Sequence, residues 1–238
     1  MSTTEWGDRA AQLYGPDYAR KYRAMDDELR MGPLVARFGG WIRELCEGFG
    51  RSIVVLDLGC GTGRYFWAVR HATELVGIDV SAAMLAEAKR PVDAGHLEVP
   101  KVTLVHGDFL TRPLGESRFD LVYSIGVLGE HTPFDATVAT RVHRALVPGG
   151  LFAFTAVHVN SFSVPRTTKR KVGERLLPIA PGPLRGALRQ RLLAGGLYVD
   201  PPYVREVLTG AGFKVESIEY HESDVHLHCM CVGRKPRG

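Results

Sequence analysis

An apolar strand that runs directly into closely spaced glycines constrains this chain more than any other feature. Val55-Leu56-Asp57-Leu58-Gly59-Cys60-Gly61-Thr62-Gly63-Arg64 begins as a buried strand and ends in a turn whose missing β-carbons let a ligand approach the backbone. In open α/β sheets, ligands sit beyond the carboxyl ends of the strands. Three ligand classes use such loops. A P-loop requires Gly-Lys-Ser/Thr, but Gly63 is followed by Arg64-Tyr65. A dinucleotide fingerprint is Gly-x-Gly-x-x-Gly, and here the third glycine comes one residue early. Asp57 at the mouth of the loop would repel a pyrophosphate and would suit the cationic amino group of an aminoacyl ligand. Asp79 lies twenty residues past Gly59 at the end of a second strand, the position from which ribose hydroxyls are bound.

Strands and helices alternate along the rest of the chain. Residues 8–50 read as helical, with Tyr14, Tyr18 and Tyr22 recurring every fourth residue and so sharing one face. Gly48-Phe49-Gly50 ends that region. Strands are expected at Ile53–Leu58, Glu74–Ile78, Lys101–Val105, Phe119–Ile125 and Leu151–Val157. A short helix is expected at Tyr65–His71. Ser81 is a good N-cap for a helix over Ala82–Arg90. Thr132-Pro133 with Asp135 predicts another helix running to about Leu146 and stopping at Pro148-Gly149-Gly150. Asp200-Pro201-Pro202 opens a helix ending near Gly210. The last two strands, about Lys214–Tyr220 and His226–Gly233, are separated by too few residues for a crossover and must be antiparallel. The expected fold is α/β: a doubly wound, mostly parallel seven-stranded sheet closed by a C-terminal antiparallel hairpin.

The stretch Asp57-Leu58-Gly59-Cys60-Gly61-Thr62-Gly63 resembles the cofactor loop of class I S-adenosylmethionine-dependent methyltransferases. Further elements fit in the same order. Asp79-Val80-Ser81 resembles the ribose-binding turn and Gly107-Asp108-Phe109 the adenine-binding acid turn. Phe119-Asp120-Leu121-Val122 resembles the fourth strand, Pro148-Gly149-Gly150 the turn before the fifth, and Ala211-Gly212-Phe213 precedes the final hairpin. The resemblance covers roughly residues 50–160 and 200–233. It implies a Rossmann-like methyltransferase fold with S-adenosyl-L-methionine as cofactor. Gly59, Gly61 and Gly63 would hold the methionine part, with Asp57 and Cys60. Asp79 would take the ribose with Val80 and Met84 nearby, and Asp108 the adenine amino group with Gly107 and Phe109. Ser124 and Ile125 at the end of the fourth strand would also contact the cofactor, and Tyr14 and Tyr22 of an N-terminal helical cover (residues 1–50) would close over it.

In methyl transfer the cofactor brings both electrophile and leaving group, so the protein mainly aligns the acceptor. A base is needed only where the acceptor arrives protonated. The expected carboxyl rim is rich in histidine, whose ordinary pKa suits that work. His131 and His158 are the candidate catalytic residues, with Glu130, Asn160, His221 and His226 as acceptor contacts. His226 and His228 share a strand face, as do Glu222 and Asp224, which is the one arrangement suggesting a divalent ion. Strand-end histidines are more often hydrogen-bonded structure, and no metal is expected.

The charge is uneven. Residues 1–160 hold 17 Lys+Arg against 19 Asp+Glu, and residues 161–238 hold 13 against 7. Most of the excess falls within about 161–199, where Arg166, Lys169, Arg170, Lys171, Arg175, Arg185, Arg189 and Arg191 face only Glu174. This long connection reads as a basic, lid-like insertion in a methyltransferase domain spanning 51–238, with an amphipathic helix over Leu184–Leu193. It is open to three readings: capture of an anionic acceptor, a membrane or nucleic-acid surface, or solvated exterior. Without interleaved aromatic residues, no stable nucleic-acid partner is expected. The four cysteines have no zinc spacing and read as reduced thiols. With no signal-like start and no apolar run of about 18 residues, a cytoplasmic protein without a membrane span is expected. The oligomeric state is left open, a homodimer included. The function expected is methylation of oxygen or nitrogen, with carbon left open, on a small-molecule acceptor. The alternatives are an RNA or protein methyltransferase, or a non-catalytic cofactor-binding regulator.

Overall fold

The computed structural model describes residues 3–29, 32–95, 97–165, 167–181, 185, 188, 192 and 197–237. Among these, seven strands form one sheet: β1 Ile53–Leu58, β2 Ala72–Asp79, β3 Val102–His106, β4 Phe119–Ser124, β5 Leu146–Val157, β6 Lys214–Glu222 and β7 Leu227–Arg234, in the order β3-β2-β1-β4-β5-β7-β6. β1 to β5 pair in parallel, and β7 runs antiparallel to both β5 and β6. The strand order turns back between β1 and β4. This is the switch point at which an open α/β sheet leaves a crevice.

Alternation along the strands builds two cores. Ile53 and Val55 of β1 face the α3 helix (Pro33–Glu47), which contributes Val35, Phe38, Trp41, Ile42 and Cys46 to the same cluster. Leu56 and Leu58 face the opposite side, against α5 (Ala136–Ala145) and α7 (Pro201–Gly210) with Val138, Val142, Val204 and Leu208. Each such side chain contributes about 1.5–3 kcal/mol when fully buried. The sheet face under α3 therefore depends on this helix, whereas α1 (Thr3–Leu13) and α2 (Pro16–Leu29) lie over the carboxyl edge, where α2 meets α4 (Ala82–Asp93).

The element boundaries differ from expectation at three places. The helix expected over Tyr65–His71 is only a 3-10 turn, Phe66–Ala68. Phe66 and Val69 are drawn into the core, and β2 starts directly after His71, so no further helical turn fits. Helix α5 is capped by Asp135, whose carboxylate accepts from the Thr137 and Val138 amides, rather than by Thr132. Thr132 instead closes a tight loop, its carbonyl accepting from Gly129 N at 2.7 Å. Strand β5 begins at Leu146, so Pro148-Gly149-Gly150 lies within the strand, which is irregular there against β4. Asp200 caps α7 and Ser81 caps α4, as their sequences predict.

The basic segment contains α6 (Thr168–Leu176). Arg170 is buried and spends its charge internally, on Glu174 at 2.8 Å, Asn160 Oδ1 at 3.2 Å and the Val164 carbonyl at 3.5 Å. Part of the positive charge read as surface is thus structural. The helix expected over 184–193 falls mostly outside the described residues. Among the described residues no helix is long and apolar enough to cross a membrane.

Candidate active site

The turn after β1 is held by backbone and by one acid. Gly59 N and Cys60 N donate to Ile78 O at 2.8 and 3.1 Å, and Gly61 N donates to Asp79 Oδ2 at 2.8 Å. Gly59 has φ +75°, and a β-carbon there would lie 2.5 Å from the Val127 side chain. Both the backbone and the space require glycine. Asp79 Oδ1 accepts from Ser81 N at 2.8 Å. With Val80 N also bonding this carboxyl, three of its roughly four acceptor positions are taken and about one is left for a ligand. Asp57 stands buried at the end of β1, in register with Tyr123 of β4, and burial pushes its carboxyl up to about 8. Asp108, past β3, accepts from Leu110 N at 2.7 Å. Burial raises the Asp79 and Asp108 carboxyls and the Cys60 thiol as well.

The N-terminal helices are latched to this loop. Asp26 of α2 accepts from Thr62 Oγ1 and from Arg64 Nε, Arg23 donates to Thr62 O at 3.2 Å, and the Arg64 guanidinium lies 4.5 Å from the Tyr22 ring centre. Ser81 Oγ donates to Tyr14 O at 2.6 Å. Gly7 of α1 approaches Asp108 so closely that a β-carbon on it would meet Oδ2 at 2.6 Å. Tyr14, Tyr18 and Tyr22 form a continuous aromatic wall, with ring centres 5.0 and 5.8 Å apart in turn.

Together these elements enclose a cavity of about 450 Å³. One end is lined by Asp57, Gly59, Cys60, Gly61, Asp79, Val80, Met84, Asp108 and Phe109. Beyond Tyr14, Tyr22 and Ile125, the other end carries Glu130, His131 and His226. Tyr14 Oη and His131 Nε2 are 2.8 Å apart. Burial raises the phenol's pKa and lowers the imidazole's, so this is a hydrogen bond between two neutral groups, its direction set by the imidazole tautomer. Among the described residues no group of three or more His, Cys, Asp or Glu is arranged to hold a metal ion.

Several residues expected at the site stand elsewhere. His158 is in the isolated bridge with Val199, its Nδ1 accepts from Asn160 N at 3.0 Å, and its ring lies edge-on to Tyr220. Asn160 binds Arg170. His221 lies edge-on to Phe38, on β6 opposite His228. None of the three lines the cavity: His158 and Asn160 turn to Tyr220 and Arg170, and Phe38 stands beside His221 in the cavity wall. Gly63 and Gly107 also miss it. Gly63 is required by φ +77° and by the Phe66 ring, 2.7 Å from where its β-carbon would be. Gly107 bonds back to Asp79 O at 2.9 Å. Ser124 is buried beneath, tying β4 to β1 through Leu58 O at 2.9 Å. No described residue of 161–199 lines the cavity. Sequence reasoning missed Leu34, Phe38, Arg64, Val225 and the inward turn of His228. The alternation of β7 carried the signal for His228, because Cys229 and Cys231 share the opposite face.

The reversed last strand, the switch-point loop and acids at the ends of three successive strands define a Rossmann-like α/β domain of the methyltransferase type. Residues 55–150 match the family model described as a methyltransferase domain. The chain is 38% identical over 106 residues to an uncharacterized methyltransferase of Synechocystis, covering 44% of this chain and 47% of that protein. It is 36% identical over 124 residues to the malonyl-[acyl-carrier protein] O-methyltransferase of Enterobacter lignolyticus, covering 51% and 45%. The chain thus matches under half the length of these curated relatives. A solved S-adenosylmethionine-dependent methyltransferase from Mesorhizobium loti superposes with TM-score 0.55 at 25% identity, covering 77% of this chain and 91% of that one. Residues 55–150 are thus similar to a methyltransferase domain, on a fold shared with a solved S-adenosylmethionine-dependent methyltransferase.

Proposed function

We propose that this protein transfers the methyl group of S-adenosylmethionine to an oxygen or nitrogen of a small-molecule acceptor. One observation carries the reading. Three carboxylates, Asp57, Asp79 and Asp108, ring one end of the cavity around a backbone bared by Gly59 and Gly61. That end suits an ammonium, a ribose and an adenine amino group, in that order. Among the relatives, one from Enterobacter lignolyticus is named as an O-methyltransferase and one from Pneumocystis carinii as a sterol 24-C-methyltransferase, so their names leave the acceptor atom open.

The lining suits a neutral acceptor better than an anionic one. Arg64 is the only Lys or Arg among the described lining residues, and Asp26 neutralises it. The role of His131 in this reading is to position Tyr14, because its Nε2 is held against the phenol at 2.8 Å. Tyr14→Phe and His131→Ala are each expected to lower turnover about tenfold, the worth of one hydrogen bond at about 1.4 kcal/mol. The double variant should be no worse than either single one, since both break the same bond. Additive losses would separate the two residues. The function itself is tested by following labelled methyl from S-adenosylmethionine into a metabolite panel. Cofactor binding with no transfer to any acceptor would leave a binding protein without chemistry.

A further inference from the structure

The part of the cavity wall formed by the loop after β4 and by β7 holds polar atoms that the protein itself does not satisfy. Glu130 Oε1 and both ring nitrogens of His228 are buried and make no hydrogen bond. Glu130 Oε1 and His228 Nδ1 are 3.8 Å apart, too far to bond each other, with side chains only 16% and 5% exposed. Unpaired groups of this kind cost about 1–3 kcal/mol each, a cost that a bound group bridging them would remove. Around them the lining combines the His131 and His226 rings with an apolar wall. Leu34 and Phe38 come from α3 and Val225 from the β6–β7 turn, and the Phe38 ring lies edge-on to His228 at 5.3 Å.

We propose that this corner is the acceptor subsite, and that its ligand is a neutral molecule with an apolar body and a hydroxyl seated between Glu130 and His228. The proposal rests on the methyl-transfer reading and names the acceptor chemistry. A hydroxyl both donates and accepts, as this pair requires. Burial holds the His228 imidazole down to about 4, so it is neutral, with one N–H to give and one lone pair. Glu130 accepts the hydroxyl proton's hydrogen bond. A carboxylate ligand would meet Glu130 with no uncompensated Lys or Arg among the described lining residues. In the transfer, a lone pair of the hydroxyl oxygen forms the new C–O bond. The C–S bond breaks with its electrons left on sulfur, and the hydroxyl proton passes to the Glu130 carboxylate. Sulfonium and carboxylate charges are both consumed, leaving a methyl ether, a neutral thioether and protonated Glu130.

The test is calorimetric titration of the full-length protein, loaded with S-adenosylhomocysteine, with 2-naphthol, 2-methoxynaphthalene and 2-naphthoate. 2-Naphthol is expected to bind at least tenfold more tightly than either of the others. Glu130→Gln and His228→Leu should each abolish most of that preference while S-adenosylhomocysteine affinity stays within twofold. Equal binding of 2-naphthol and 2-methoxynaphthalene, tighter binding of 2-naphthoate, or no 2-naphthol binding at millimolar concentration would overturn the proposal. If His228→Leu does not fold, Glu130→Gln and the wild-type preference still decide. If S-adenosylhomocysteine itself does not bind, the methyl-transfer reading fails, and the naphthalene series on the unloaded protein reports separately on the subsite.

Discussion

Replacing Asp57 with asparagine is expected to weaken S-adenosylhomocysteine binding about 100-fold while leaving the protein folded. Asparagine keeps the shape of the side chain and removes only its charge. A hundredfold is about 2.7 kcal/mol, within the range for removing one member of a buried hydrogen-bonded charge pair. The pH dependence gives a second readout. Burial pushes the ligand-free Asp57 carboxyl up to about 8, so near pH 6–7 it is protonated. Pairing with the ligand's ammonium requires the carboxylate, so binding there releases a proton. Affinity should climb as pH rises toward 8, then fall as the ligand's α-amino group, with an ordinary pKa of about 8, loses its charge. Asp57→Asn should flatten the rising limb. Stability moves the opposite way. A carboxyl whose folded pKa is raised stabilises the ligand-free protein fully below its ordinary value and loses that contribution as pH rises through about 8. The variant should therefore gain thermal stability relative to the wild type above pH 8. Calorimetry from pH 6 to 9 checks both, and wild-type affinity in Asp57→Asn would remove this residue from the ligand.

Asp26→Ala is expected to destabilise the protein by about 3 kcal/mol, the low end for breaking a buried ion pair. The Asp26 side chain is 1% exposed and neutralises Arg64, whose side chain is 20% exposed, while also accepting from buried Thr62. Without it, the Arg64 charge is left beside the Tyr22 ring and the Tyr65 hydroxyl, with no acid paired to it. The latch joins α2 to the glycine loop, so the effect should be local as well as global. Limited proteolysis should cut first within α1 and α2, and S-adenosylhomocysteine should bind about tenfold more weakly. Asp26→Asn, which retains one acceptor, should lose less. Urea denaturation measures the stability change, and a shift under about 0.5 kcal/mol would mean that the latch carries no net energy.

The sheet was legible because its signals are local. Strand runs ended by glycines or acids, the Ser81 and Asp200 caps and the short β6–β7 turn each follow from neighbouring residues, and together they admit one topology. The acids at Asp57, Asp79 and Asp108 were legible for the same reason: strand ends determine where they stand. What escaped depends on contacts between distant segments. Tyr65–His71 looked helical until the core claimed Phe66 and Val69. His158 and His228 both stand at the carboxyl rim, but only the packing of α3 and the pairing of β5 with β7 decide which one faces the cavity. Arg170 reads as surface charge, yet Asn160 and Glu174 draw it inside. The chain pattern gave no sign of the Asp26 latch, because its partners lie 36 and 38 residues away.

Calorimetric titration of the folded, full-length protein with S-adenosylhomocysteine at pH 8 tests the central claim most directly. One site per chain with micromolar affinity is the expected result, competed by S-adenosylmethionine. No measurable binding of either nucleoside, by protein whose circular dichroism shows it folded, would contradict it.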